Sequence, residues 1–567
     1  MCGICGIYGA DAPKDIFEML EAILHRGPDG QRIESFRWGS LGFCRLDIFG
    51  SSGVNQPVTS QDRQIAVIFN GEIYNFEDLK SSLHLNYEIT DEANLILELY
   101  TEHGEECFKK LKGMFAIAIM TPEKLILARD AVGIKPLVYF TSKNRIYFAS
   151  EIKALLRVKK DVIDIDEDAL AETAVFGFIF SLEKTMIKGI TQVLPGTYLV
   201  FEHGKVESNS FCRLIPSFHG DSHSDDVTII EHFSTLMDNA AKLFLKHSKH
   251  SPAIYLSGGI DSSLMTFFLL GHSQSPLSTF NLFDDEKSED RQFASRAARE
   301  LGTHHNEFKI GIEECHQWLD HYLFHYESVV TDGVFNVLGS LAFHILSHHI
   351  SKTHRIAYCG EGADELFGGY YWKHTHSLGF GDRLRSRAGM VNKGNTAIND
   401  YIQEKFPDDD SKEDSMRKEI FDILMGPGLT NCHLWSVDRS SSAFSFEARP
   451  IFLYDDLKEW ALSLPIEKKV NGLNTKMVLR KFVEKMGQPL FSDIAGRKKI
   501  GMPDALSVSL KNLSTYAEEE LKKRNNIEKP HRQYAAFFST DLERFLFDRF
   551  YHFFVLNRGE ITQLKYS

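Results

Sequence analysis

The first part of the chain alternates short apolar runs with turn signals. Two such turns are Asn70-Gly71 and Val132-Gly133, and the apolar runs are Ile65–Phe69, Met114–Met120, Lys124–Ala128, Leu137–Phe140 and Arg145–Ala149. Short apolar runs bounded by turn residues are typical of β-strands. Many short strands at close spacing predict a sandwich of sheets in this part of the chain.

A polar stretch, Ser217–Asp226, separates this region from the rest of the chain. Its residues, SFHGDSHSDD, offer little that a folded domain could bury, so we interpret it as a linker, with a surface loop as the alternative. A chain of 567 residues is also too long for one ordinary core. We therefore predict two domains, residues 2–215 and 227–567.

Strand, turn and helix alternate after the polar stretch. Strands are predicted over Pro252–Leu256, Leu277–Phe283 and Arg355–Cys359, and helices over Ser262–Leu270 and Glu289–Leu301. This alternation predicts an α/β fold with a doubly wound parallel sheet. The last third of the chain is mostly helical and charged. We expect its aromatic-rich end to cap the core, with a partner-binding surface as the alternative.

Composition excludes several classes of protein. Hydrophobic residues make up 43% and charged residues 25%, as in a folded soluble protein. A net charge of −14 without a basic block gives no electrostatic support for binding nucleic acid. No run approaches the roughly 18 apolar residues that a membrane span requires, and no signal peptide precedes Cys2. The eight cysteines show no disulfide framework, so we expect a cytoplasmic protein.

Cys2 is the strongest candidate for a nucleophile. Removal of Met1 would place a thiol and a free α-amine on one residue. An amine with a pKa of about 7.7–8.0 can accept the proton of a thiol with a pKa of about 8.5. A small buried residue at the start of a strand is the alternative. Cys2 and Cys5 also form a C-x-x-C, but no partner pair follows at zinc-ligand spacing, so we expect no metal or redox site there.

The run from Ser257 to Ser263, SGGIDSS, lies between the first predicted strand and helix of the C-terminal region. Its glycines let an anion approach the backbone, the following helix offers free N–H groups, and the serines add donors. Asp261 fits an anion site only if a cation joins it, so we predict Mg²⁺ carrying a phosphate. The run has neither the Walker ending nor the dinucleotide G-x-G-x-x-G. An ordinary strand-to-helix turn is the alternative.

A second cluster of glycines and acids, Gly360–Tyr370, follows the third predicted strand. Its carboxylates Glu361, Asp364 and Glu365 repel one another unless a cation neutralises them. They can hold Mg²⁺ or receive a substrate ammonium group. At the switch point of a parallel sheet this cluster and the SGGIDSS run would face one crevice. The basic segment Gly496–Gly501 offers cations for a departing pyrophosphate.

Together these motifs resemble those of the class II glutamine-dependent asparagine synthetases over nearly the whole chain. The N-terminal blocks of the resemblance stand in order: Cys2-Gly3-Ile4, His25-Arg26-Gly27-Pro28-Asp29, Arg45-Leu46, Phe69-Asn70-Gly71-Glu72-Ile73-Tyr74-Asn75 and Asp91. The resemblance implies an α/β multidomain protein. Its N-terminal glutaminase would be an αββα sandwich of the N-terminal-nucleophile (Ntn) type, and its C-terminal part a doubly wound ATP-pyrophosphatase domain with added helices.

In the glutaminase part, the resemblance makes Cys2 the nucleophile and places the oxyanion contacts on Asn70 and Gly71. Arginine suits the α-carboxylate of glutamine, and acids suit its α-ammonium group. The resemblance assigns glutamine binding to Arg45, Asn70, Gly71, Glu72 and Asp91.

In the synthetase part, the resemblance assigns Mg²⁺ to Asp261 and Glu361, and the acceptor to Glu361 and Asp364. Lys499 would stabilise charge during adenylation and pyrophosphate release. Contacts to ATP would fall on Tyr255, Ser257, Gly258, Gly259, Asp261, Ser262, Leu282, Cys359 and Gly360.

The implied reaction activates a carboxylate as its acyl-AMP, which ammonia from glutamine then converts into an amide. Aspartate is the leading acceptor, so the partners are the small molecules glutamine, ATP and aspartate, without nucleic acid or membrane. Ammonia released to water becomes unreactive ammonium, so a passage between the two parts is implied. The resemblance also implies a homodimer.

Three departures from the family pattern leave the acceptor open. Alanine stands at 363 where the family often has serine, the acid block reads Asp91-Glu92-Ala93, and the block Glu447–Tyr454 has a displaced proline and ends in tyrosine. A sugar uronate or a cell-wall diamino acid is the alternative acceptor. A hydrolase with a degenerate second domain is a rival that ATP-dependent pyrophosphate release would exclude.

Overall fold

The computed structural model describes residues 2–10, 12–48, 55–83, 87–212, 214, 225–246, 251–331, 339–369, 385–386, 388–389, 400, 403–404, 419–471, 474–497, 507–523, 534, 537–538 and 540–560. Its strands are β1 Gly3–Tyr8, β2 Gln31–Phe36, β3 Gly39–Cys44, β4 Val58–Thr59, β5 Ala66–Ile73, β6 Gly113–Met120, β7 Lys124–Arg129, β8 Val138–Ser142, β9 Arg145–Ala149, β10 Thr191–Gln192, β11 Thr197–Glu202, β12 Lys205–Ser210, β13 Ala253–Tyr255, β14 Ser278–Phe283, β15 His304–Lys309, β16 Ile356–Cys359 and β17 Glu447–Pro450.

The α-helices of the described residues are α1 Pro13–Glu21, α2 Phe76–Ser82, α3 Glu92–His103, α4 Ile152–Val158, α5 Glu167–Phe176, α6 Asp226–Lys246, α7 Ile260–His272, α8 Glu289–Leu301, α9 Ile312–Tyr326, α10 Ser340–Ser351, α11 Ala363–Phe367, α12 Trp435–Ser442, α13 Asp455–Ser463, α14 Ile466–Lys469, α15 Met477–Met486, α16 Pro489–Gly496, α17 Ser507–Lys523 and α18 Asp541–Tyr551. Short 3₁₀ turns cover Leu24–Arg26, Gly104–Lys110 and Ile451–Leu453, and π-type segments cover Glu419–Leu434 and His552–Leu556.

Two antiparallel sheets, each six-stranded within the described residues, form the N-terminal half. The strand orders are β10-β8-β9-β1-β3-β2 and β12-β11-β7-β6-β5-β4. Apolar side chains such as Ile4, Phe43, Ile68, Leu127 and Phe148 fill the space between the sheets. Helices α1 and α4 cover one sheet and α3 covers the other. This arrangement confirms the predicted αββα sandwich.

Burial along the strands follows this layering. All eight residues of β6, GMFAIAIM, are buried because the strand lies between the opposite sheet and the α3 layer. All six residues of β12 are exposed because that strand lies at the sheet edge. The sequence therefore reveals β6 as a continuous apolar run, whereas β12 carries no apolar signal.

The C-terminal half contains a parallel sheet with the order β15-β14-β13-β16-β17 among the described residues. From β13 the chain proceeds outward through β14 to β15, whereas β16 and β17 lie on the other side. The direction of winding therefore reverses between β13 and β16, which is where ligands bind in doubly wound sheets. The predicted parallel sheet is confirmed. The strands β15 and β17 were not predicted, because their sequences HHNEFK and EARP lack apolar runs.

One continuous hydrophobic core joins the outer face of the β1 sheet to the C-terminal half. The described parts of α17 and α18 pack against α9, with Phe545, Leu546 and Phe550 buried. This part of the aromatic-rich end therefore caps the core, as expected. Of the predicted linker Ser217–Asp226, only the last two residues are described, and the rest lies outside the described residues.

No helix of the described residues combines the length and the apolar character needed to cross a membrane. All eight cysteines lie among the described residues and are free. This agrees with the absence of a disulfide framework in the sequence.

Candidate active sites

Cys2 lies directly before β1, at the place where the two N-terminal sheets meet. Its backbone N–H donates to Oδ1 of Asn70 at 2.9 Å, and Nε of Arg26 donates to its carbonyl oxygen at 3.1 Å. Asn70 is fully buried, and its Nδ2 has no hydrogen-bond partner within the part of the chain that the structure describes. This leaves a buried donor beside Cys2, as an oxyanion site requires.

The electrostatics of the Cys2 thiol depend on residues from both halves. Burial raises the pKa of the thiol, with a smaller increase from Glu447, while the backbone N–H of Leu46 and the ammonium of Lys135 lower it. The net shift is upward, so the thiol stays protonated unless a base takes its proton. The α-amine that Cys2 would carry after removal of Met1 is such a base.

The other residues predicted to bind glutamine have structural partners. Arg45 donates from Nη2 to Oδ1 of Asp47 at 2.9 Å. Asp91 is the N-cap of α3, and its carboxylate accepts bonds from the backbone and the side-chain amide of Asn94 at 3.0 and 2.7 Å. Gly71 has φ +153°, and a Cβ there would lie 2.0 Å from the carbonyl of Met114, so only glycine fits.

Glu72 faces the C-terminal half. Its carboxylate pairs with Nη1 of Arg449 on β17 at 2.9 Å, and both side chains are 1% exposed. Arg449 also donates from Nε to Glu447 at 2.7 Å, and Glu447 accepts from Nζ of Lys135 at 3.0 Å. This chain of alternating charges brings β17 against the Cys2 site. The roles of these residues in glutamine binding stay predictions.

A second buried ionic cluster joins the halves beside Arg26. It contains three cations and three anions, each at most 4% exposed: Arg26, Lys153, Arg439, Glu151, Glu327 and Asp438. Burying charges is costly unless they are paired, and here the charges balance. We call this set the interface cluster. Burial alone would raise the pKa of Glu151, but His25, Lys153 and Arg26 hold it well below its usual value.

Histidine rings extend from the interface cluster into the C-terminal half. His25 lies 3.1 Å from Glu151, its ring centroid is 4.6 Å from that of His325, and the centroid of His325 is 4.5 Å from that of His321. Nδ1 of His321 lies 2.8 Å from Nε2 of His344, within hydrogen-bond distance. Burial lowers the pKa of each of these rings, that of His321 to about 3.

Within the described residues, His25, Glu151 and His325 form one group with the spacing of metal ligands, their ligand atoms lying within 4.8 Å of one another. Arg26 and Lys153 already neutralise Glu151, and the interface cluster has no excess negative charge. A divalent cation would add two uncompensated charges in a buried place. We therefore assign no metal to this group.

The SGGIDSS loop and the acid cluster meet at the switch point of the parallel sheet. Gly258 has φ +74°, and a Cβ there would lie 2.4 Å from the backbone of Ala294, so glycine permits the close approach of α8. A Cβ at Gly360 would lie 3.5 Å from that of Asp261, which shows that the two loops are adjacent. The hydroxyl groups of Ser257 and Ser262 lie 3.1 Å apart.

Lys476 joins these two loops, and the sequence analysis did not identify it. Its Nζ pairs with the carboxylates of Asp261 and Asp364, the latter at 2.6 Å, and its side chain is 5% exposed. The backbone of Lys476 is left-handed, with φ +53°, at the residue preceding α15. A strained backbone at a buried lysine between two carboxylates is a feature of functional sites. A lone lysine in a helical region gave no sequence signal.

The remaining predicted residues of this site differ in their burial and contacts. Leu282 and Cys359 are buried at the ends of β14 and β16, and the hydroxyl of Tyr255 lies 2.8 Å from that of Ser347, pointing into the fold. A contact from Tyr255 to a nucleoside would therefore use its backbone. His433 lies 3.6 Å from both Glu361 and Glu365.

The basic segment reaches the same loops. The guanidinium of Arg497 pairs with Asp290, lies 3.5 Å from the carbonyl of Gly258 and covers the ring of Phe293. Lys499 itself lies outside the described residues. Its predicted role in charge stabilisation stays a prediction.

Comparison with known proteins gives one family match in each half of the chain. The family model described as asparagine synthase matches residues 232–553, and the glutamine amidotransferase domain model matches residues 1–212. The chain belongs to the asparagine synthase family. It is 28% identical over 556 residues to the glutamine-hydrolysing asparagine synthetase 3 of Bacillus subtilis, covering 89% of this chain and 87% of that protein.

A second relative is the glutamine-hydrolysing asparagine synthetase of Bos taurus, 27% identical over 566 residues, with 92% of this chain and 88% of that protein covered. Among solved structures, the allosteric regulatory enzyme of purine biosynthesis matches with a TM-score of 0.31 and 17% identity. That match covers 55% of this chain and 80% of the other, and a likeness of this size does not bear on the site.

We predict that acid destabilises this protein, because burial lowers the pKa of its histidine rings. Each buried ring has a folded pKa below the unfolded value of about 6.5, so its contribution to stability is complete above that value and is lost as the pH falls below it. Replacing the bonded pair, His321→Leu with His344→Leu, removes two titrating groups together. Below about pH 6.5 we expect the unfolding free energy of this double variant to fall less steeply than that of the unmodified protein. The difference in slope is up to about 2.7 kcal/mol per pH unit.

Thermal or urea unfolding between neutral pH and pH 5 measures this difference. The exposed His203 replaced by phenylalanine is the control, for which we expect the acid sensitivity of the unmodified protein. Equal acid sensitivity of the double variant and the unmodified chain would contradict the assignment of neutral buried rings.

Proposed function

We propose that this protein is a glutamine-hydrolysing, ATP-dependent amidotransferase that converts aspartate into asparagine. The observation that carries the proposal is the pairing of two sites in one chain. One site holds Cys2 beside the buried donor of Asn70, and the other brings the SGGIDSS loop to a cluster of carboxylates. The names of the relatives support aspartate as the acceptor.

In the first site, the α-amine of Cys2 would take the thiol proton, and the thiolate would attack the side-chain amide carbon of glutamine. Nδ2 of Asn70, a buried donor without a partner among the described residues, would stabilise the oxyanion. The C–N bond then breaks, the protonated α-amine returns its proton to the leaving nitrogen, and ammonia departs. Water hydrolyses the resulting thioester to glutamate and restores the thiol.

In the second site, the acceptor carboxylate would attack the α-phosphorus of ATP, giving the acyl-AMP and pyrophosphate. The free N–H groups at the start of α7 and the serines of the SGGIDSS loop suit the phosphates. Ammonia then attacks the acyl carbon, AMP leaves, and the nitrogen loses a proton to give the amide. Lys476, which pairs with Asp261 and Asp364, would move to the phosphates as they bind.

The carboxylates of this site fit Mg²⁺. Asp261, Glu361 and Asp364 supply hard oxygen donors, and the pairing of Lys476 with two of them supports a cation between these carboxylates. These residues would hold the ion, which would supply neutralisation of the pyrophosphate charge. ATP is the co-substrate in this proposal.

Aspartate is the first choice of acceptor in this proposal although the block Glu447–Tyr454 departs from the family pattern. The hydroxyl of Tyr454 donates to Asp456 at 2.8 Å, and its ring lies 6.4 Å from that of Tyr74 in the N-terminal half. The tyrosine thus replaces the family's aspartate at the contact between the halves. A sugar uronate or a cell-wall diamino acid is the second candidate. We also propose a cytoplasmic location, because all eight cysteines are free, and a homodimer stays a prediction.

The proposal predicts that ATP, Mg²⁺ and glutamine release pyrophosphate only when aspartate is present, with asparagine accumulating. A coupled pyrophosphate assay with amino-acid analysis measures both. Glutamine hydrolysis without any response to aspartate would remove aspartate as the acceptor. Pyrophosphate release absent with every carboxylate tested would remove the synthetase activity.

Cys2→Ala should abolish asparagine formation from glutamine and leave formation from an added ammonium salt within about twofold. The substitution removes the nucleophile of one site and leaves the other intact. Cys5→Ala, which changes a buried cysteine of β1 three residues after Cys2, is the matched control and should retain both activities. Loss of both activities in Cys2→Ala alone would contradict the division between the sites.

A further inference from the structure

The helix α12 carries one acidic residue into the N-terminal half. Asp438 binds the guanidinium of Arg26 through both carboxylate oxygens. Oδ2 accepts from Nη1 at 2.9 Å, and Oδ1 accepts from Nη2 at 3.1 Å. Asp438 is 4% exposed and Arg26 is 0% exposed. Two parallel hydrogen bonds of this kind fix the plane and the direction of a guanidinium.

Arg26 in turn holds the nucleophile. Its remaining donor, Nε, contacts the carbonyl oxygen of Cys2 at 3.1 Å. By fixing the plane of the Arg26 guanidinium, Asp438 therefore also directs Nε toward the carbonyl oxygen of Cys2. The guanidinium of Arg26 also contacts the hydroxyl of Ser442, which is on α12 and lies 3.1 Å from Nη1.

The other carboxylate on Arg26 is shared. Glu151 accepts from Nη1 at 2.7 Å, but it also pairs with Lys153 and lies 3.1 Å from His25. Glu151 contacts only one nitrogen of Arg26, so by itself it leaves the guanidinium free to turn about that bond. Asp438 supplies the second point of attachment and the third negative charge of the interface cluster.

We propose that Asp438, although it belongs to the C-terminal half, is a positioning residue for the Cys2 nucleophile and acts through Arg26. This inference rests on the glutaminase activity proposed above. Catalytic groups must be held within about 0.5 Å of the productive geometry. Cys2 reaches that geometry only when α12 is docked, so hydrolysis of glutamine is confined to chains whose two halves are closed together.

The substitution Asp438→Asn tests this inference in the full-length protein. Asparagine keeps the size of the side chain and one acceptor oxygen. Its NH₂ group is a donor facing an N–H donor of Arg26, so the second hydrogen bond is lost. We expect kcat for glutamine hydrolysis to fall about 10- to 100-fold, since a misplacement of about 1 Å can cost about 100-fold. We expect KM for glutamine and asparagine formation from ammonium salt to stay within about twofold.

Two variants control for general damage to the interface. Asp456→Asn makes the same chemical change in another ion pair between the halves, that of Asp456 with Lys112 at 2.6 Å, which is exposed and does not touch Arg26. We expect it to retain the glutaminase kcat. Asp438→Glu restores the charge, and we expect it to recover at least half of the logarithmic loss seen in Asp438→Asn.

The outcomes separate the positioning role from a structural one. Equal losses of glutamine-dependent and ammonia-dependent synthesis in Asp438→Asn, or an equal loss in Asp456→Asn, would show a structural role and overturn the inference. An unchanged glutaminase kcat would also overturn it. If the unmodified protein does not hydrolyse glutamine, the proposed function fails, and that result is distinct from either outcome for Asp438.

Discussion

The balanced burial of charge between the two halves is the constraint on which the rest of the structure depends. The three cations and three anions of the interface cluster are each at most 4% exposed, so none can lose its partner without leaving a buried charge uncompensated. Asp438 pairs across the boundary with Arg26, and Arg439 pairs with Glu327 at 3.0 Å. A second chain of charges, from Lys135 through Glu447 and Arg449 to Glu72, crosses the boundary at β17.

These contacts connect the two candidate sites across the boundary between the halves. Strand β17 pairs with β16, which leads into the acid cluster, while its Glu447 raises the pKa of the Cys2 thiol and its Arg449 pairs with Glu72. The segment that ends in α12 places His433 beside Glu361 and Asp438 on Arg26. An enzyme that makes ammonia at one site and uses it at another needs such a fixed relation, because free ammonia is protonated in water.

The sequence predicted those features that depend on local pattern. Apolar runs revealed β6 and β14, and the glycines of the SGGIDSS loop and of Gly360–Gly362 marked two turns that meet at the switch point. Lys476, Asp438 and Arg449 were not found, because their roles come from partners more than 100 residues away along the chain. Lys476 and Asp438 stand in no motif, and the block Glu447–Tyr454 does not reveal what Arg449 contacts, since a buried charge and an exposed one look alike in sequence.

The central claim is that the two sites work as one enzyme through this closed boundary. The most direct test supplies glutamine labelled with nitrogen-15 in its amide, together with aspartate, ATP, Mg²⁺ and an excess of unlabelled ammonium salt. Mass spectrometry of the asparagine formed gives the fraction of labelled nitrogen. The account predicts enrichment well above that of the ammonium in solution. A labelled fraction equal to that of the dissolved ammonium would contradict it.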